Sequence, residues 1–134
     1  VMVCDSVEEA VKGAEIICTV TPSKEPYLKA EWITPGAHIN AVGAFTPNTR
    51  EIESSLMAKA KLYADQVEAM KKECGEYLIP KNEGLFGEEH ITGSIGGILA
   101  GQGPGRENDT EITLFDALGL AVEDVACGRF LCRE

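Results

Sequence analysis

Residues 36–44 read Gly-Ala-His-Ile-Asn-Ala-Val-Gly-Ala, a short strand that runs out into glycine and alanine. Side chains alternate across a strand, so Ala37, Ile39 and Ala41 share one face, and His38, Asn40 and Val42 share the other. The tip, Gly43 and Ala44, is small. In open α/β sheets the ligand crevice lies outside the carboxyl ends of the strands, and small residues there let a ligand approach the backbone. The stretch therefore predicts a parallel strand and marks where a ligand would sit.

The flanking segments fit that reading. Ser6-x-x-Glu9 is a capping box, with the Ser6 hydroxyl accepting from the amide of residue 9 and Glu9 reaching back to the amide of residue 6. A helix should begin there, carry Ala10, Val11 and Ala14 on its apolar side, and end near Gly13. Residues 15–20, Glu-Ile-Ile-Cys-Thr-Val, read as a continuous strand buried on both faces. The prolines and hydroxyls of residues 21–26 make a loop, either a plain connection or one that presents threonine hydroxyls and amides to a ligand. Leu28, Trp32 and Ile33 suggest one or two amphipathic turns, with Trp32 packing rather than recognising. His38 stands in no metal or triad spacing and is read as packing.

Thr46 as N-cap and Pro47 in the first turn predict a helix, with Ile52, Leu56 and Met57 on its buried side. Residues 61–65 suit a strand, and residues 66–75 a helix with lysines late and Gly75 as its stop. Three strands separated by helices argue for a doubly wound sheet. A turn-rich link then suggests a domain boundary after residue 78. Residues 91–99 are expected to be a short helix stopped by Gly101. Residues 101–106 are glycine-rich but lack the flanking strand and helix of a phosphate-binding loop. Residues 110–115 form a β-type run, followed by a final helix whose Leu120, Ala121, Val125, Ala126 and Phe130 want a partner.

The net charge of −10 argues against a nucleic-acid partner, because such binders neutralise phosphates with Lys and Arg. No apolar run approaches the roughly 20 residues of a membrane helix, and the first residues lack a signal-peptide layout. A cytoplasmic, membrane-free protein is expected. Cys4, Cys18, Cys74, Cys127 and Cys132 are odd in number and have no Cys-x-x-Cys spacing, which suggests idle thiols and no metal site. A start running straight into a capped helix, and an end still in helical pattern, suggest a fragment.

Taken together, residues 5–11, 19–26, 36–44, 111–115 and 119–124 resemble the ornithine cyclodeaminase/mu-crystallin family, with the matches in family order along nearly the whole chain. The resemblance implies an α/β fold: the second half of a Rossmann-like doubly wound parallel sheet (1–78), followed by a C-terminal segment of a separate substrate and dimerisation domain (79–134). It implies NAD or NADP as cofactor, with Thr19, Val20, Thr21, Val42, Gly43, Ala44 and Leu118 lining the nicotinamide side, and strand-end amides available as donors. A small amino or cyclic imino acid is the implied substrate, and a homodimer the implied state of the complete protein.

Phe45 departs from the family pattern. Members that convert ornithine to proline with loss of ammonia carry an aspartate there, and a phenyl ring has no proton to exchange. No catalytic residue is identified in this stretch. Phe45 is either a core aromatic stapled onto the next helix or a ring that shapes the substrate pocket. Three activities remain: imine reduction or interconversion of an amino acid and its keto form, the cyclodeaminase reaction itself, and dinucleotide binding without turnover. Catalysis by residues 1–134 alone is not expected.

Overall fold

The computed structural model describes residues 1–132. Five strands, β1 (Ile16–Thr19), β2 (His38–Ala41), β3 (Lys61–Ala64), β4 (Ile91–Ser94) and β5 (Thr113–Asp116), form one parallel sheet in the order β1-β2-β5-β3-β4. The helices are α1 (Val7–Val11), α2 (Ser54–Lys59), α3 (Val67–Glu73), α4 (Gly75–Asn82), α5 (Ile95–Leu99) and α6 (Ala121–Leu131). The expected parallel α/β sheet is present.

Register aligns the core. Ile17, Ile39, Leu114 and Leu62 lie abreast across four strands, all inward and at most 6% exposed. Leu28, Leu56, Met57, Met70 and Tyr77 cover them. Each such side chain contributes about 1.5–3 kcal/mol by leaving water. The next inward row is Thr19, Ala41, Asp116 and Ala64, so the carboxyl edge of the sheet is where the core turns polar.

The largest difference from the sequence reading concerns β5. It was expected beyond the boundary after residue 78, yet it pairs with both β2 and β3 at the centre of the sheet. β4, also beyond that boundary, pairs with β3. Parallel pairing uses crossover connections, so spatial neighbours need not be neighbours in sequence. β1 is also corrected: Ile17 and Thr19 are buried, whereas Ile16 and Cys18 are exposed on the other face of this edge strand.

Several local expectations give way to tertiary contacts. Thr46 closes a turn with Thr49, whose amide donates to the Thr46 carbonyl and whose Oγ1 accepts from the Thr46 amide; the helix waits until Ser54. Gly75 opens α4 instead of ending α3, and a Cβ there would lie 2.2 Å from the Thr49 carbonyl oxygen. Residues expected as a link are helical because Glu76 and Tyr77 are buried in the core, even with Pro80 inside the helix. Of the helix expected over 91–99, the first four residues are β4; Ser94 then caps α5, and Gly101 (φ +71°) terminates it. The Ser6 cap, the end at Gly13 and the loop over 101–106 match expectation, while Glu9 reaches one residue further back, to the amide of Asp5 instead of that of Ser6.

Candidate functional site

Because all five strands are parallel, their carboxyl ends share one edge, and three connections leave it side by side. After β1 come Val20 and Thr21; after β2 come Val42, Gly43 and Ala44; after β5 come Ala117, Leu118 and Gly119. The amides of Val42 and Gly43 both donate to the Thr19 carbonyl, at 2.9 and 3.1 Å, which folds the second connection over the first. The contact is backbone on backbone. A Cβ on Gly43 would come within 2.2 Å of the Thr21 nitrogen and 2.3 Å of its carbonyl oxygen, so glycine is required for close approach.

This arrangement sorts the residues expected to line a cofactor. Val20 and Val42 are 69% and 46% exposed and give adjacent strand ends an apolar rim. Thr21 is exposed beside them, and Gly43 is half-buried. Thr19 and Ala44 are buried and turn their side chains away from the rim. Leu118 is half-buried against the core. Phe45 is 60% exposed on the connection after β2, so the staple onto a helix is excluded, and the helix it would have stapled is absent.

The strand-end amides are also not the free donors they were expected to be. Glu51, fully buried, accepts from the Thr21 amide at 2.5 Å and the Tyr27 hydroxyl at 2.6 Å through Oε1, and from the Gly43 amide at 3.1 Å through Oε2. Asp65 accepts from the amides of Leu118 and Gly119, both at 2.9 Å, through Oδ2. All three connections at this edge are thus held from below by buried carboxylates.

Two more acids lie beneath them. Glu76, 1% exposed, accepts from the amides of Glu51 and Ile52. Asp116, fully buried at the end of β5, accepts from the Cys74 thiol at 3.2 Å, while its Oδ1 has no hydrogen-bond partner. Burial pushes Glu76 up to about 8, against the pull of its two amide donors, and Asp116 up to about 7. For Glu51 burial acts in the same upward direction, but the Tyr27 hydroxyl and the other donors outweigh it and hold the carboxyl below the usual range. Burial, with the Glu51 carboxylate beside it, raises the Tyr27 phenol to about 12.

The sequence reading missed these four acids. Their signal was present in part: Asp116 falls at an inward position of a β-type run, and Glu76 precedes Tyr77 and Leu78 in an apolar stretch. His38 is a structural residue, its Nδ1 2.8 Å from the Thr113 Oγ1, and Trp32 packs partly buried against the core beneath Lys29. An apolar cavity of about 420 Å³ lies elsewhere, over the second face of the sheet between His38, Asn40, Tyr63, Phe115, Ile95 and Ile98. It shares no residue with the strand-end rim. Among the described residues, no group of three or more His, Cys, Asp or Glu is placed to hold a metal ion, and no helix is long and apolar enough to cross a membrane.

The ornithine cyclodeaminase/mu-crystallin family model matches residues 1–133. The chain belongs to this family. It is similar to ketimine reductase mu-crystallin of Mus musculus, 44% identical over 131 residues, which cover 98% of this chain and 39% of that protein. Among solved structures it is similar to the Thermococcus litoralis Delta(1)-pyrroline-2-carboxylate reductase in complex with NADH and L-proline, with TM-score 0.89, 40% identity, and 94% and 39% of the two chains covered. It is also similar to an archaeal alanine dehydrogenase dimer with bound NAD, with TM-score 0.85, 41% identity, and 93% and 38% covered. The chain thus spans about two fifths of the length of these relatives.

Proposed function

We propose that the chain forms part of an NAD(P)-dependent oxidoreductase that reduces a small cyclic imino acid. Phe45 carries this reading: it stands exposed on the rim at the position where cyclodeaminases of the family have their aspartate. It can lie against an apolar ring but cannot relay a proton. The relatives named as ketimine reductase and pyrroline-2-carboxylate reductase support the same assignment.

The rim fits a nicotinamide. A planar ring approaches backbone only where side chains are small or absent, and the Gly43–Thr21 contact keeps the floor of the rim at backbone height. Val20, Val42 and Gly43 would lie along one face of the ring and exclude water from it, with Thr21 at the margin and Thr19, Ala44 and Leu118 supporting them from below. When bound, a reduced nicotinamide would supply the hydride to the imine carbon, with a proton from water completing the nitrogen, to leave the cyclic amino acid and the oxidised cofactor. Phe45 would pack against the apolar part of the substrate and favour a ring over an open-chain diamine.

The relative that is an alanine dehydrogenase favours a second reading, reductive amination of a keto acid. Domain division and assembly complete the proposal. The sheet belongs to the dinucleotide-binding domain, α6 to a substrate and dimerisation domain, and the whole protein works as a homodimer. Product analysis of the full-length protein with NADH or NADPH tests the activity, using a five-membered cyclic imino acid, pyruvate with ammonia, and ornithine as separate substrates. Imine reduction is expected; proline and ammonia from ornithine without net cofactor change would overturn it.

A further inference from the structure

The connections after β1 and β2 meet over a single side chain. Among the described residues, Glu51 is the side chain that bonds both, taking the Thr21 amide on one carboxylate oxygen and the Gly43 amide on the other. Its main chain extends the same junction: the Glu51 carbonyl accepts from the amides of Tyr27 and Leu28 at 2.8 and 2.9 Å, and its own amide donates to Glu76. Three donors converge on the carboxylate, all N–H or O–H, and among the described residues no lysine or arginine bonds it. A carboxylate accepts on both oxygens; an amide of the same shape must point an NH2 group at one of those donors.

We propose that Glu51 is a positioning residue for hydride transfer: it sets the spacing of Val20–Thr21 against Val42–Gly43 and so fixes the surface on which the nicotinamide ring lies. This rests on the cofactor reading above and adds to it the residue that shapes the nicotinamide side. Glu51 does not itself reach the rim, being fully buried beneath it. Its effect is transmitted through two backbone amides to residues whose side chains are exposed. Tyr27 donates to the same carboxylate oxygen as the Thr21 amide, accepts from the Thr21 hydroxyl at 3.4 Å, and so holds the carboxylate oriented toward Thr21.

The test uses the full-length protein and the near-isosteric Glu51→Gln, with Tyr27→Phe as a milder second variant that leaves both backbone amides their acceptor. Amide hydrogen exchange at Thr21 and Gly43 is measured without cofactor, and NADH or NADPH affinity and turnover with it. Glu51→Gln is expected to speed exchange at one or both amides by tenfold or more, to weaken cofactor binding by about tenfold, and to lower kcat as well as raise KM for the cofactor. Tyr27→Phe should show the same pattern at smaller size. A Gln variant with unaltered cofactor affinity and kcat, even if its melting temperature falls, overturns the proposal, because a merely structural role would move stability alone. Absence of cofactor binding by the unaltered protein would sink the cofactor reading and this role with it. Normal binding by both forms would sink this role only.

Discussion

At the scale of single residues, the buried acids make stability depend on pH in a direction opposite to that of most carboxylates. Glu76 and Asp116 are held protonated more readily in the folded chain than in the unfolded one, at about 8 and about 7. The stability they contribute is complete below the unfolded carboxyl range near pH 4, and is lost as pH rises through 7 to 8. Glu51, shifted downward, acts the other way and loses its contribution as pH falls through its folded value. The melting temperature should therefore fall between about pH 5 and pH 8 and level off above that, and Glu76→Gln should flatten that fall. A glutamine carbonyl can still accept from the amides of Glu51 and Ile52, which both reach Oε1 of Glu76. Thermal melts of both forms across this range provide the check; an unchanged slope would mean that Glu76 stays ionised. Gly43→Ala tests the neighbouring contact. Its Cβ would meet Thr21 backbone, which cannot swing aside as a side chain does, so we expect a loss of about 1–3 kcal/mol in urea unfolding. The burial of Glu51 was not legible from residue types, since Thr49, Arg50, Glu53 and Ser54 around it are polar, whereas Glu76 and Asp116 gave a partial signal through their apolar neighbours. Gly43 and Val42 were legible, because a strand ending in small residues leaves few alternatives.

Among the elements, legibility followed periodicity. β1, β2 and β3 announce themselves by short β-permissive runs between turn signals, and α1 by its capping box. α4 did not, because Pro80 and Gly75 are local breakers that are overruled by the burial of Tyr77 and Glu76. The place of β5 was illegible for a different reason: alternation predicts a strand but not its neighbours. Its central position has an energetic consequence. Leu114 is fully buried between Ile39 and Leu62 in the shared row, whereas Ile17 lies on the edge strand. Leu114→Ala should cost about 2–5 kcal/mol, toward the upper part of the range for cavity-forming changes. Ile17→Ala should cost less, because an edge position can relax toward solvent. Urea unfolding of the two variants, read against the same baseline slope, would decide it, and equal losses would contradict a central β5.

For the whole molecule, α6 is the element that the rest leaves uncovered. Val122, Val125, Phe130 and Leu131 are 68–75% exposed, although they are the residues such a helix would ordinarily bury. Of these, Val125 and Phe130 stood on the face that the sequence marked as wanting a partner; the partner was not readable, since residues 1–134 cover only about two fifths of the length of the relatives. Under the proposed domain division, α6 and the nicotinamide rim belong to one working unit only when the full-length protein is assembled. Holding cofactor and substrate in mutual register can contribute about 7–11 kcal/mol toward a barrier, and that contribution vanishes when part of the binding surface is missing. Residues 1–134 expressed alone are therefore expected to unfold cooperatively around the Leu114 row, to bind a hydrophobic dye through α6, and to show no imine reduction. The full-length protein should lose the dye signal and gain turnover. Micromolar NADH affinity in residues 1–134 alone would mean that the rim is sufficient to hold the dinucleotide, and that the remaining length of the protein serves the substrate rather than the cofactor.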